Sequence, residues 1–286
     1  PMTRPDLSFG PFRILERHDL PGDAFDAAAK ERESGREVRL WAGIPGSAEP
    51  RQGRPHPDEV RAGLSRVYHS SLPKVLRTET IEERAVLVLQ PCRGRTLSEV
   101  LAEAPPVDPL RALSIVESLG AALAKAHRAG FCHGHLDEDA VLLDEGGKTM
   151  LLRVGWWPFL GSRPPLAPED LGGGEPRPSA DVFALARLLA RLLLPEDPCG
   201  TGEAALRACS EGPDPAVMPT HLPEGLRRFL ARALLPVPNQ RIARADELTG
   251  DLRVIRASWA SLATDSASRG GWKASLPRWL SPGKGR

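Results

Sequence analysis

Apolar positions along this chain fall first in strand-length and then in helix-length runs. Residues 9–20 and 23–29 read as a strand pair, and 37–44 as a third strand after a Glu-Ser-Gly-Arg turn at 33–36. A stretch that can form a helix follows at 58–68, then an apolar strand at 85–90. Thr96 stands where an N-cap would open the next helix. Residues 110–128 carry a strong 3.6-residue period and predict a long amphipathic helix. The pattern then changes: a polar loop at 133–139, a short apolar strand at 140–143, an Asp-Glu-Gly-Gly turn, and a second strand at 150–152 that stops at Arg-Val-Gly. Two strands joined by that turn make a hairpin. A polar loop placed directly before a hairpin has the rigid support a functional site needs.

Length and charge narrow the class. At 286 residues the chain can bury one large core or two lobes. The net charge of +1, from 38 basic against 37 acidic residues, gives no global electrostatic case for nucleic acid. The four cysteines are scattered without a Cys-x-x-Cys pair, which fits a reducing cytosol better than a disulfide framework or a structural zinc site. The most apolar helix-length run, 182–194, is broken by Arg187 and Arg191 and is too short to span a bilayer. Pro1 ahead of Met2 reads as a remnant of tag removal, and no apolar leader-like segment follows. A cytoplasmic location is the expectation.

The loop and hairpin resemble the catalytic loop and metal-binding turn of the protein kinases, in which His-Arg-Asp, Asn and Asp-Phe-Gly occur at this spacing. His133 keeps the family's His and Gly134 takes the place of its Arg. His135 stands at the catalytic-base Asp, Ala140 at the metal-binding Asn, and Arg153 at the Asp of Asp-Phe-Gly; Gly155 is retained. Upstream, the nucleotide loop keeps only Gly22, with Arg17 and Asp19 at the other two glycine positions. Side chains there would hinder backbone approach to phosphates, and an aspartate would repel them. Arg39 falls at the adenine roof and Trp41 at the nucleotide-binding Lys, while Glu59 lies near the family's C-helix Glu with no Lys to pair with. Residues 90–94 correspond to the hinge. Downstream, Ala167-Pro168-Glu169 matches the family's Ala-Pro-Glu, Asp181 the Asp that holds the catalytic loop, and Arg241 the Arg that pairs with the Ala-Pro-Glu carboxylate. Glu169 and Arg241 are therefore expected within salt-bridge distance. In the short segment between Gly155 and Ala167, Ser162 is the one hydroxyl residue, which argues against phosphorylation control of the usual kind.

The resemblance implies an α+β, bilobal fold over residues 9–258, with a small antiparallel N-lobe (about 9–90) and a larger, mainly helical C-lobe (about 94–258). Residues 260–286, basic and containing Trp272 and Trp279, form a tail or linker, and any membrane contact is assigned to it. Phosphoryl transfer needs a group to orient the nucleophile, metal ions and a cation on the nucleotide. His135, Ala140, Arg153 and Trp41 supply none of these, and a guanidinium at the metal position repels a divalent ion by several kcal/mol at an effective dielectric of about 20. The implied protein is a pseudokinase without cofactor or metal that binds another protein as scaffold or allosteric regulator. A competing enzyme reading rests on the acidic loop Asp137, Glu138 and Asp139, as a relocated metal site for another nucleotide-dependent transfer. The opposite expectation is that these acids form salt bridges to Arg153 or Arg39 and close the cleft. Cys132, His133, His135 and Asp137 are ligand types, but His133 is read as a structural, inward-facing histidine.

Overall fold

A one-residue irregularity decides which way the second strand faces. The register of β2 (Phe12–Leu20) against β3 (Ala24–Glu31) shifts between Ile14 and Glu16, and a bulge of this kind reverses side-chain alternation beyond it. Before the bulge, Phe12 and Ile14 join the outer apolar cluster with Phe25, Leu40 and Val88; beyond it, Leu20 joins the core that continues into the second lobe. The computed structural model describes residues 7–49, 51, 53–103, 107–161, 165–194, 196–200, 206, 213 and 218–267. Its larger sheet is antiparallel, in the order β1-β2-β3-β4-β6-β5, with β1 (Ser8–Phe9), β4 (Glu37–Ala42), β5 (Val75–Ile81) and β6 (Arg84–Leu89) completing it. Its two faces are both apolar, because one makes the N-lobe's own core and the other packs toward the helical lobe.

Helix α1 (Pro57–Leu64) is shorter than the stretch 58–68 suggested. Pro57 fixes its start, and a capping box links its N-cap His56 with Glu59. The Ser65 hydroxyl bonds back to the Arg61 carbonyl at its end. Capping recurs at α2 (Leu97–Glu103), where Glu99 accepts from the Thr96 N–H at 2.9 Å and Thr96 Oγ1 accepts from the Glu99 N–H at 3.3 Å.

The C-lobe is built on α3 (Pro109–Arg128), packed against α4 (Pro178–Leu193) and α6 (Ala245–Ala267), with α5 (Glu224–Ala233) beyond. Gly120 permits that closeness, since a Cβ there would lie 2.6 Å from the Thr249 hydroxyl and 3.3 Å from Leu185. A small sheet, β7 (Arg95–Thr96), β8 (Val141–Leu143) and β9 (Thr149–Leu151), carries the predicted hairpin. The residue before its first strand, Ala140, belongs to a 3₁₀ turn, Glu138–Ala140. Helix α6 runs through the boundary expected near residue 258 and ends at Ala267. The tail's tryptophans lie outside the described residues, as does Ser162. No described helix is long and apolar enough to cross a membrane.

Candidate functional site

The loop 133–139 is held from below by one carboxylate. Asp181, fully buried in the first turn of α4, accepts hydrogen bonds from the His133 N–H (2.7 Å), the Gly134 N–H (2.8 Å) and His127 Nε2 (2.8 Å). His133 Nδ1 accepts from the His135 N–H at 3.2 Å, so Nε2 carries the proton donated to the Leu152 carbonyl at 2.8 Å. Burial drives the His133 pKa down to about 4, against the opposing pull of Asp181. At the family's Arg position a side chain has no room: Gly134 has φ +70°, and a Cβ there would lie 2.8 Å from Pro176 and 3.0 Å from Trp157. Further out, the guanidinium of Arg241 is hydrogen-bonded to Glu169 and lies 4.9 Å from the Phe183 ring centroid.

Between the lobes runs a chain of alternating charges. Arg153, 1% exposed, directs Nη1 to Asp26 Oδ2 (3.3 Å) and to the Asp139 carbonyl (3.2 Å), and Nη2 to Asp137 Oδ1 (3.1 Å). Asp26, fully buried on β3, also accepts from Arg39 Nε. Asp137 continues the chain to His135 Nε2 at 3.3 Å. Burial by itself would raise the Asp137 pKa, but the His135 hydrogen bond and the Arg153 charge outweigh it and hold the carboxyl at about 2. Arg39 shows the same contest, with burial lowering its pKa and Asp26 more than restoring it. Two guanidiniums and two carboxylates thus compensate one another across the lobe junction.

Several sequence expectations change at this point. Arg39 faces a carboxylate on the neighbouring strand, in place of an open adenine roof. Asp26 is the centre of the group, and its signal in the sequence is no more than a carboxylate within the strand Ala-Phe-Asp-Ala-Ala-Ala. Trp41, paired in register with Asp26, is 2% exposed and packed in the interlobe core. Arg17 and Asp19 lie beyond the bulge on the outer face, where they pair with each other at 2.6 Å and Arg17 covers the Phe25 ring at 4.2 Å. Glu59 is exposed and spent on its helix cap. Of the acidic loop, Glu138 pairs with Arg191, while Asp139 meets His18 at 3.5 Å and the Ser98 hydroxyl. Among the described residues, the ligand-type set that converges is His127, Cys132 and Asp181, within 4.8 Å, and Asp181 already has both oxygens occupied by the three donors above.

The segment after Gly155 packs against the N-lobe. After Gly155 the segment turns into a 3₁₀ helix, Trp157–Phe159, with Trp156 and Phe159 stacked at 4.2 Å. The Ile44 N–H donates to the Phe159 carbonyl (2.9 Å) and the Gly161 N–H to the Pro21 carbonyl (3.3 Å), joining this segment to the stretch that follows β4 and to the β2–β3 turn. Gly22 (φ +75°) and Gly161 touch so closely that a Cβ on either would lie 2.6 Å from the other's Cα. In the kinase frame, that turn is the one whose bare backbone covers nucleotide phosphates.

No protein-family model matches the chain. It is 27% identical over 214 residues to the serine/threonine-protein kinase PknL of Mycobacterium tuberculosis, covering 69% of this chain and 53% of that protein. It is 29% identical over 197 residues to PkaB of Streptomyces coelicolor, covering 62% and 47% respectively. The chain thus spans about half the length of these curated relatives. Among solved structures, the Mycobacterium tuberculosis PknI kinase domain superposes with a TM-score of 0.65 at 19% identity, over 88% of this chain and 99% of that one. The bilobal architecture, the loop anchored on Asp181 and these likenesses agree: the chain has a protein kinase-like fold and is similar in sequence to bacterial serine/threonine protein kinases.

Proposed function

We propose that this protein is a catalytically inactive pseudokinase that works by binding another protein, as a scaffold or allosteric regulator. The observation that carries this reading is Arg153, buried and bonded to Asp26 of one lobe and Asp137 of the other. A fixed cation stands at the position where the family places an acidic metal ligand, and it is neutralised by protein carboxylates. With Ala140 at the Asn position and Trp41 at the Lys, neither of those two positions carries a group that orients or neutralises a triphosphate. The three acids of the loop support no relocated metal site, because each is engaged by a protein donor: Arg153 and His135, Arg191, or His18 and Ser98.

The test is incubation of the purified chain with γ-³²P-ATP and Mg²⁺ or Mn²⁺, with and without a generic basic protein as acceptor. No label above background is expected on either protein. Transfer that survives in the wild type and disappears in an Asp137→Asn variant would replace this reading with the enzyme one. Affinity purification should in parallel recover a stoichiometric protein partner, and recovery of none under gentle conditions would count against the binding role.

A further inference from the structure

Behind the hinge lies a cavity of about 500 Å³, within the size range of small-molecule sites. None of Asp26, Arg39, Trp41, Asp137 or Arg153 lines it. Its apolar wall comes from both lobes: Leu64 at the end of α1, Leu72 and Val75 leading into β5, and Met150 on β9. Its charged lining is mostly cationic, with Lys74, Lys148 and Arg93, the last paired with Glu37 at 2.7 Å. Lys74 and Lys148 line it, and among the described residues neither ammonium has a carboxylate partner. His69, also in the wall, accepts the Ser71 N–H at Nδ1 (3.1 Å), which leaves its Nε2–H to donate. The one lining carboxylate, Asp144, accepts the Lys148 backbone N–H at 2.7 Å.

We infer that this cavity binds an amphipathic organic anion, with an apolar or aromatic body against Leu72, Val75 and Met150 and its acid group between Lys74 and Lys148. Unpaired cations beside apolar surface select a ligand that brings both a negative charge and a hydrophobic body. The chain's own C-terminal segment is a poor occupant. It carries Arg269, Lys273, Arg278, Lys284 and Arg286 against Asp265 alone, so its charge has the wrong sign. An occupant would touch both lobes. Leu64 also reaches toward the turn that carries Arg153, since a Cβ on Gly155 would lie 3.6 Å from its Cδ2. Binding would therefore reinforce the closed arrangement of the lobes.

The probe is 8-anilinonaphthalene-1-sulfonate, an aromatic sulfonate, titrated by fluorescence into the full chain. One saturable site is expected, together with a rise in Tm. Affinity should fall at least tenfold in Lys74→Glu/Lys148→Glu and stay unchanged in an Arg66→Glu control. The uncharged N-phenyl-1-naphthylamine should bind at least tenfold more weakly. Both lysines are exposed, so the double variant is expected to keep its unliganded Tm within a few degrees. Absence of a saturable site, equal affinity in the double variant, equal affinity for the uncharged probe, or loss of binding on removing residues 268–286 would each overturn the assignment.

Discussion

Asp26 concentrates the energetics of the cleft in one side chain. It is the shared partner of two buried guanidiniums, and removing one member of a buried ionic group leaves the others desolvated and uncompensated, at a cost of about 3–5 kcal/mol. Asp26→Asn should therefore destabilise the protein by about that much in urea denaturation. Replacing the whole group (Asp26→Leu, Arg39→Leu, Arg153→Leu, Asp137→Asn) should recover most of the loss, since no unpaired ion remains; equal stability of wild type and Asp26→Asn would show that the group is not buried in solution. His133 gives a second prediction at this scale. Its folded pKa of about 4 lies below the ordinary 6.5, so the unfolded chain takes up the proton first. The stability tied to the neutral imidazole is full above about pH 6.5 and is lost as pH falls toward 4, amounting to about 2 kcal/mol between pH 7 and pH 5. Urea denaturation at the two pH values measures it, and the slope should flatten in His133→Gln.

Among the elements, the contact between the β2–β3 turn and the segment after Gly155 is the most exacting, because it is backbone against backbone. Gly161→Ala would place a methyl 2.6 Å from the Gly22 Cα, an overlap that costs about 1–3 kcal/mol if the segment stays in place. The expected response is local release. In native-state hydrogen exchange, the Ile44 amide, which donates to the Phe159 carbonyl, should lose at least tenfold of its protection while the α3 amides keep theirs. Unchanged protection at Ile44 would mean that the segment is held by something other than this contact. The elements also show what the sequence disclosed and what it hid. The hairpin, the long helix α3, the Thr96 cap and the Glu169–Arg241 pair follow from local patterns and motif spacing, and the structure places them where those patterns put them. The facing of Arg17 and Asp19 was hidden, because it hangs on a bulge with no turn residue to announce it. The role of Asp26 was hidden as well, since its partners lie 13 and 127 residues along the chain, and no periodicity records a contact of that range.

For the whole molecule, the two lobes share one continuous apolar core, and they are further joined by the Arg153 bridges to Asp26 and Asp137 and by the backbone contacts of the segment after Gly155. A kinase-like frame normally leaves the space between its lobes for a nucleotide and its metal. On the proposed reading, seating ATP there requires breaking the Arg153 bridges to Asp26 and Asp137 and displacing the Trp157–Phe159 turn. A thermal-shift titration of the wild-type chain with ATP, alone and with Mg²⁺ or Mn²⁺, addresses this directly, because any ligand that prefers the native state must raise Tm. With those bridges and that turn in place, Tm stays within experimental error up to millimolar nucleotide, with or without metal. A saturable, metal-dependent rise in Tm that is abolished by mutating Asp137 would contradict it.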